Sequence, residues 1–249
     1  MIFESTPTVI GHRGYGSGDL TPPGARTPVA ENTLPSMLAA VEAGLSWIEI
    51  DVTRTADDDL VLRHDPTTSG GDHVVDLAAT ATGLPRLTDV FDALPPDVAV
   101  DVDVKTVLED AVDAPSRRTG ALLLPVLKRE AKRRRLLVTS FDPSLLTFLR
   151  DELPRVPLGL LTWLRFPLWH AVPAAAGLGL DAVGVHTASC GIDHPDTRLR
   201  PLDHCVDVAH KAGLETVVWC PTAETAPNYA AAGFDAMVVN DTPGVLAAL

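Results

Sequence analysis

Short apolar runs alternate with stretches of helical pattern along almost the whole chain. The runs are rich in Val, Leu, Ile and Ala, which is typical of strands buried on both faces of a sheet. Strands that alternate with helices build a parallel sheet from βα units. The pattern predicts eight strands, at residues 8–12, 47–52, 98–104, 136–140, 156–161, 181–186, 215–220 and 236–240.

Helical patterns fill most of the gaps between these strands, at residues 34–43, 87–94, 121–134, 143–150, 202–212 and 223–232. Proline stands where a first helical turn tolerates it, and glycine follows helix ends, where a left-handed cap favours it. These residues are Pro35, Pro143 and Pro243, and Gly44, Gly213 and Gly233. Since a TIM-type (β/α)8 barrel has about 250 residues, the length of 249 predicts an α/β fold with one barrel domain, 1–249.

The composition narrows the classes of function. A net charge of −13 argues against nucleic-acid binding, which needs a basic face. Because no stretch could span a bilayer and the N-terminus lacks a secretion signal, we expect a cytoplasmic protein without stable membrane insertion. The three cysteines are odd in number and lack zinc-site spacing, so they indicate neither a disulfide framework nor a structural zinc. The basic run at 128–135 fits a solvated helix end or a contact with anionic lipid.

Two carboxylates share one face of a predicted strand. Side chains alternate along residues 47–52, so Glu49 and Asp51 point to the same side. Buried like charges are costly without a cation, and a divalent metal is the usual partner of such carboxylates. In these barrels the active site lies at the carboxyl ends of the strands. The candidate residues that fall at those ends are His12, Glu49, Asp51, Asp103, Lys105, Trp219 and Asn240.

Several motifs, in their order and spacing, resemble those of the glycerophosphodiester phosphodiesterase family, within the phosphatidylinositol-phospholipase-C-like phosphodiesterase superfamily. They are Gly11-His12-Arg13-Gly14, Glu31-Asn32-Thr33, Glu49-Ile50-Asp51-Val52, His64-Asp65, Leu84-Pro85-Arg86-Leu87, Asp103-Val104-Lys105 and Asn240-Asp241-Thr242-Pro243. Asp103 departs from the family, which has Glu there. Between His64 and Leu84 the family has a longer insertion, so the resemblance implies a barrel with a short loop, 66–83, and an open mouth.

The resemblance implies metal-dependent hydrolysis of glycerophosphodiesters to an alcohol and glycerol 3-phosphate. Glu49, Asp51 and Asp103 would hold one divalent cation, Mg²⁺ or Ca²⁺, with Mn²⁺ as a third option. Arg13 and Lys105 would bind the phosphoryl oxygens, and Trp219 would wall the glycerol pocket or fill the barrel mouth. His12 and His64 would be the general acid and base, in an order that the sequence leaves open.

Two other functions fit the same residues. Aromatic residues in 160–169 either pack on the barrel wall or line a groove for the acyl chain of a lysophospholipid, as in a lysophospholipase D. A barrel without turnover would instead bind phosphorylated ligands. Three further residues are candidates for the site. Glu31 would contact the metal or serve as a helix N-terminal carboxylate, and Asp101 would be a partner of Lys105. His186 lies at a strand end and would touch the substrate or remain a rim residue. Cys220 is interpreted as a tolerated small residue, and His73, His170, His194, His204 and His210 as surface or packing residues. The oligomeric state stays open.

Overall fold

The computed structural model describes residues 1–192 and 195–249, so His194 lies outside the described residues. Nine strands form one sheet within these ranges. They are β1 (Thr8–Gly11), β2 (Trp47–Arg54), β3 (Leu60–Leu62), β4 (Ala99–Val104), β5 (Leu136–Ser140), β6 (Leu158–Leu161), β7 (Ala182–His186), β8 (Glu215–Trp219) and β9 (Ala236–Val239).

Eight of these strands close into a parallel barrel. The order is β1, β9, β8, β7, β6, β5, β4, β2, and the pairing of β1 with β2 completes the ring. The short β3 pairs antiparallel with the end of β2, outside the ring. The predicted (β/α)8 barrel is therefore confirmed.

Helices surround the barrel and follow the strands in chain order. They are α1 (Leu34–Glu42), α2 (Ala79–Thr82), α3 (Leu87–Ala93), α4 (Thr119–Glu130), α5 (Pro143–Glu152), α6 (Leu168–Gly177), α7 (Leu202–Lys211), α8 (Ala226–Ala232) and α9 (Thr242–Ala248). Prolines lie in the first turns of α1, α5 and α9, as predicted. Gly44, Gly213 and Gly233 have φ of 93°, 82° and 91°, which only glycine adopts freely after a helix.

All eight predicted strands are present, and the predicted elements did not include β3, α2, α6 or α9. The strand β3 is too short to show a period, and α6 contains Pro173, which is unfavourable inside a helix. The helix α9 was marked only by Pro243 in its first turn. The loop 66–83 folds into a 3₁₀ turn, Val74–Asp76, and the single turn of α2.

The interpretation of the basic run at 128–135 as a solvated helix end is wrong for Arg134. The helix α4 stops at Glu130, and the Arg134 side chain is completely buried. Arg134 Nε donates to Glu130 Oε2 at 2.9 Å, and its other nitrogens donate to carbonyls that include Phe91 O at 2.9 Å. Arg134 therefore joins the end of α4 to the loop after α3.

An apolar floor closes the amino-terminal end of the barrel. It contains Phe3, packed edge-on against Trp47, and the first inward residues of several strands. Glu215 anchors the segment before β1 by accepting from the backbone N–H groups of Ile2 and Phe3. Polar side chains are thereby concentrated above this floor. In the described ranges no helix has the length and apolarity needed to cross a membrane, and the cytoplasmic location stays a prediction.

Candidate active site

Four carboxylates occupy neighbouring positions on β2 and β4. The parallel register sets Glu49 beside Asp101 and Asp51 beside Asp103, and all four are buried. One carboxylate oxygen each from Glu49, Asp51 and Asp103 lies within 4.8 Å of the other two. The sequence predicted this group, and closure of β2 against β4 brings it together.

The donor set of this group fits a hard divalent cation. Glu49 Oε1, Asp51 Oδ1 and Asp103 Oδ1 are buried and accept no hydrogen bond from the described residues, although the Lys105 ammonium forms an ion pair with Asp51 Oδ1 at 3.0 Å. Buried polar atoms are nearly always satisfied in native proteins, so the unpartnered oxygens of Glu49 and Asp103, beside the charged Asp51, point to a cation as their partner. Carboxylate oxygens are what Mg²⁺, Ca²⁺ and Mn²⁺ prefer. Glu49, Asp51 and Asp103 could therefore hold such an ion.

Burial governs the protonation of the four acids. It raises the pKa of Asp101 to about 8, against the hydrogen bond from Thr139, and that of Asp103 to about 6, against the attraction of Lys105. Burial and the charge of Asp51 raise the pKa of Glu49 well above its usual range. Burial would also raise the pKa of Asp51, but Lys105 and Arg13 outweigh it and lower that pKa. Asp51 is therefore the carboxylate that stays charged most readily.

Arg13 connects three acids from a left-handed backbone position, with φ of 55°. Its backbone N–H donates to Glu49 Oε2 at 2.8 Å, and its Nη1 reaches both oxygens of Glu31 at 2.8 and 2.9 Å. Its Nε lies 3.1 Å from Asp51 Oδ2. Glu31 is thus a partner of Arg13, and Thr33 is the residue that caps α1.

Asn32 is a residue of this site that the sequence interpretation left without a role. Its Nδ2 donates to Asp51 Oδ2 at 2.8 Å, and its Oδ1 accepts the backbone N–H of Asp51 at 3.0 Å. Asn32 is buried and has φ of 54°, which asparagine tolerates better than most residues. The motif Glu31-Asn32-Thr33 was the available signal, and the two reciprocal bonds hold Asp51 in one orientation.

The two predicted histidines occupy different environments. His12 follows β1, its side chain is 14% exposed, and its Nε2 lies 3.8 Å from Glu49 Oε2. Burial and the charge of Arg13 lower the pKa of His12 to about 4, so the ring is neutral at neutral pH. The His64 side chain is 41% exposed, and its Nδ1 lies 2.8 Å from Asp65 Oδ1.

A cavity of about 590 Å³ opens above the carboxylates. Of the predicted site residues, His12, Arg13, Glu49, His64, Asp103, Lys105 and Trp219 line it, and Asp51 lies buried at its base. Its apolar wall contains Phe141 stacked on Trp163, with ring centroids 4.5 Å apart. His186 packs edge-on against Trp219. The indole N–H of Trp219 is buried and donates to no described residue.

This combination of fold and site defines the class of the protein. A parallel barrel whose carboxyl-terminal mouth gathers acids, two histidines and two cations is an α/β-barrel enzyme suited to phosphate esters. Residues 12–243 match the model of the glycerophosphoryl diester phosphodiesterase family. The chain therefore belongs to this family of phosphodiesterases.

Solved structures share the fold at low sequence identity. An Oleispira antarctica phosphodiesterase in complex with the product sn-glycerol-3-phosphate is 21% identical, with a TM-score of 0.76 over 98% of this chain and 96% of that one. A glycerophosphodiester phosphodiesterase from Thermotoga maritima is 19% identical, with a TM-score of 0.72 over 98% and 99%. One from Parabacteroides distasonis is 21% identical, with a TM-score of 0.72 over 97% of both chains. A comparison with the curated proteins gave no match.

Proposed function

We propose that the protein hydrolyses glycerophosphodiesters to an alcohol and sn-glycerol 3-phosphate, with the help of one divalent cation. The observation that carries this proposal is the cluster of three buried carboxylates, with one oxygen of each within 4.8 Å of the other two, on a cavity that His12 and His64 also line. A phosphodiester anion resists attack, so its site must neutralise charge and supply and remove protons. These groups meet both needs.

Glu49, Asp51 and Asp103 would hold the ion, Mg²⁺ or Ca²⁺, with Mn²⁺ as an alternative. When bound, it supplies positive charge to the phosphoryl oxygens. Arg13 and Lys105 border the same cavity and add charge there, Arg as a planar fork and Lys as a point charge. Trp219 lines the same cavity and would wall the glycerol pocket.

The environments of the histidines favour His12 as base and His64 as acid. A neutral His12 takes the proton of the attacking hydroxyl, from water or from the glycerol itself, as that oxygen bonds to phosphorus. The bond to the leaving oxygen breaks, and His64 gives this oxygen a proton. When the glycerol hydroxyl attacks, this step yields a cyclic phosphate, which a water molecule then opens to glycerol 3-phosphate while the two histidines exchange the roles of base and acid. Asp65 Oδ1, 2.8 Å from Nδ1 of His64, holds the orientation of that ring, and the ring is exposed to solvent, with which it can exchange protons. Lys105 and Arg13 stay charged throughout these proton transfers.

The test is release of glycerol 3-phosphate from glycerophosphocholine by the purified chain, with and without EDTA. We expect turnover that EDTA abolishes and Mg²⁺, Mn²⁺ or Ca²⁺ restores. Glu49→Gln should lose turnover, and the matched control Glu224→Gln, an exposed residue outside the cavity, should keep it. Full activity in excess EDTA would exclude the metal. Binding of glycerol 3-phosphate without turnover under any metal would favour the non-catalytic barrel.

A second substrate class, the lysophospholipids, is favoured by the apolar rim. Trp163 and Leu164, 65% and 58% exposed, line the active-site cavity, and helix α6 begins only at Leu168. An adjoining cavity of about 500 Å³ shares Phe141 and Trp163 with the first. Val74, Val75 and Leu108 add to its apolar lining. The two cavities together form a groove with an apolar wall beside His64.

The ratio of kcat/KM for lysophosphatidylcholine to that for glycerophosphocholine decides whether an acyl chain uses this groove. Trp163→Ala should lower the ratio, whereas Trp169→Ala should not, because Trp169 lies on α6 and lines neither cavity. No detectable cleavage of the lysolipid would reject this second substrate class.

A further inference from the structure

The side chains of Asn240 and Cys220 lie beside the ring of His12, and these three residues follow three adjacent strands. The register pairs Gly11 of β1 with Val239 of β9, so His12 and Asn240 come next on their strands. Cys220 follows β8, and its N–H donates to Val238 O at 2.8 Å. All three residues line the active-site cavity. The proposed chemistry uses only the histidine.

The contacts among these side chains are directional. Asn240 Oδ1 faces His12 Nδ1, and Asn240 Nδ2 donates to Cys220 Sγ at 3.3 Å. Because the amide nitrogen is committed to sulfur, the oxygen remains as the acceptor for the histidine. A neutral imidazole that donates from Nδ1 has its lone pair on Nε2.

The backbone holds Asn240 in place. Its carbonyl accepts from Ser17 N at 2.9 Å, and a Cβ at Gly16 would lie 2.0 Å from that carbonyl oxygen. The next residue, Asp241, accepts from Gly244 N and caps α9. Cys220 has φ of 62°, an uncommon conformation for a residue with a side chain, and its sulfur lies against the amide. The main freedom left to the side chain of Asn240 is therefore a flip of its amide group, which exchanges the positions of Oδ1 and Nδ2.

We propose that Asn240 is a positioning residue that holds His12 as the tautomer protonated on Nδ1, and that the sulfur of Cys220 selects the orientation of the amide. This inference rests on the proposed function, in which His12 Nε2 accepts the proton of the nucleophile. A flipped amide would donate from Nδ2 to His12 Nδ1. The ring proton would then sit on Nε2, where it blocks the base.

Nitrogen-15 NMR of histidine-labelled full-length protein in Mg²⁺ measures the tautomer directly. The signals missing from His12→Ala assign the ring. We expect a protonated Nδ1 and an unprotonated Nε2 in the wild-type protein. A proton on Nε2 of the neutral ring would overturn the proposal, and this measurement needs no variant of Asn240.

Activity measurements test the consequence. Asn240→Leu should mix the tautomers and lower kcat on the order of tenfold to a hundredfold, with KM nearly unchanged. Asn240→Asp retains only acceptors and should keep the Nδ1–H tautomer, and the exposed control Asn228→Leu should change neither readout. An unchanged tautomer and unchanged kcat in Asn240→Leu would overturn the proposal. Full turnover in His12→Ala would remove His12 as the base and refute the proposed mechanism, whereas the tautomer measurement would stand apart from that result.

Discussion

Nζ of Lys105 lies 3.0 Å from Oδ1 of Asp51, and it also donates to Asp103. One ammonium therefore contacts two of the three carboxylates that could hold a metal. Burial would lower the pKa of Lys105, but Asp103 and Asp51 outweigh burial and raise it, so the ammonium stays charged. Lys105 and a divalent cation would therefore repel each other beside the same two carboxylates.

Replacement of Lys105 by Met should separate metal affinity from substrate affinity. Loss of the ammonium removes this repulsion, so Mn²⁺ should bind more tightly. KM for glycerophosphocholine should rise, because the phosphoryl group loses a positive partner. Calorimetric titration of Mn²⁺ and steady-state kinetics measure the two effects. Weaker Mn²⁺ binding in Lys105→Met would show that the lysine supports the carboxylates rather than competing for them.

Variants of Asp103 test whether this third carboxylate binds the metal. A glutamate would reach about one carbon–carbon bond farther, about 1.5 Å. We expect Asp103→Glu to lower the metal concentration needed for half activity and Asp103→Ala to raise it. The measurement is activity against Mg²⁺ concentration in a metal buffer. The same half-saturation in the wild type and both variants would mean that Asp103 is not a ligand.

Substrates whose leaving groups differ in their need for a proton distinguish the acid from the base among the two histidines. His64→Ala should lose on the order of 10²- to 10⁴-fold in turnover of glycerophosphocholine, whose leaving alkoxide needs a proton. It should lose far less with a p-nitrophenyl ester of glycerol 3-phosphate, because p-nitrophenolate leaves without one. His12→Ala should lose activity on both substrates. The reverse pattern would exchange the acid and the base.

The metal-free protein should lose stability as the pH rises from about 6.5 to about 8. Burial raises the folded-state pKa of Asp101 to about 8, so folding holds a proton that the unfolded chain has released. The stabilisation is complete below the unfolded pKa and disappears as the pH passes through the folded one. Glu49, with its raised pKa, acts in the same direction. Below pH 6.5 two other groups change the stability in opposite directions. His12, with its pKa lowered to about 4, makes the stability rise with pH, and Asp103, with its pKa raised to about 6, makes it fall.

Urea unfolding midpoints in EDTA at pH 6.5 and 8 measure this loss, whose slope is at most about 1.4 kcal/mol per pH unit for each proton. Asp101→Asn should reduce the slope, since it removes a group whose pKa of about 8 makes it titrate in that interval. Saturating Mg²⁺ should also reduce it, because the ion stabilises the ionised carboxylates. A midpoint that rises with pH in EDTA would contradict the assignment.

Much of the site was predictable because its parts are local. The two-residue period of a strand places Glu49 and Asp51 on one face, and parallel strands bring their carboxyl ends to one rim. The resemblance added Asp103 and His64. Asn32 was visible in its motif, but its role depends on a left-handed backbone turn that returns its amide to Asp51.

The alternation of strands and helices and the family motifs determined, from the sequence alone, a barrel with an acidic rim and its class of chemistry. Only the tertiary structure decided the state of each group. His12 meets Asn240, 228 residues away, because β1 closes the barrel against β9, whereas the more exposed His64 lies against its chain neighbour Asp65. Burial and distant partners set a side chain's pKa and tautomer, and both arise only when the ring of strands closes.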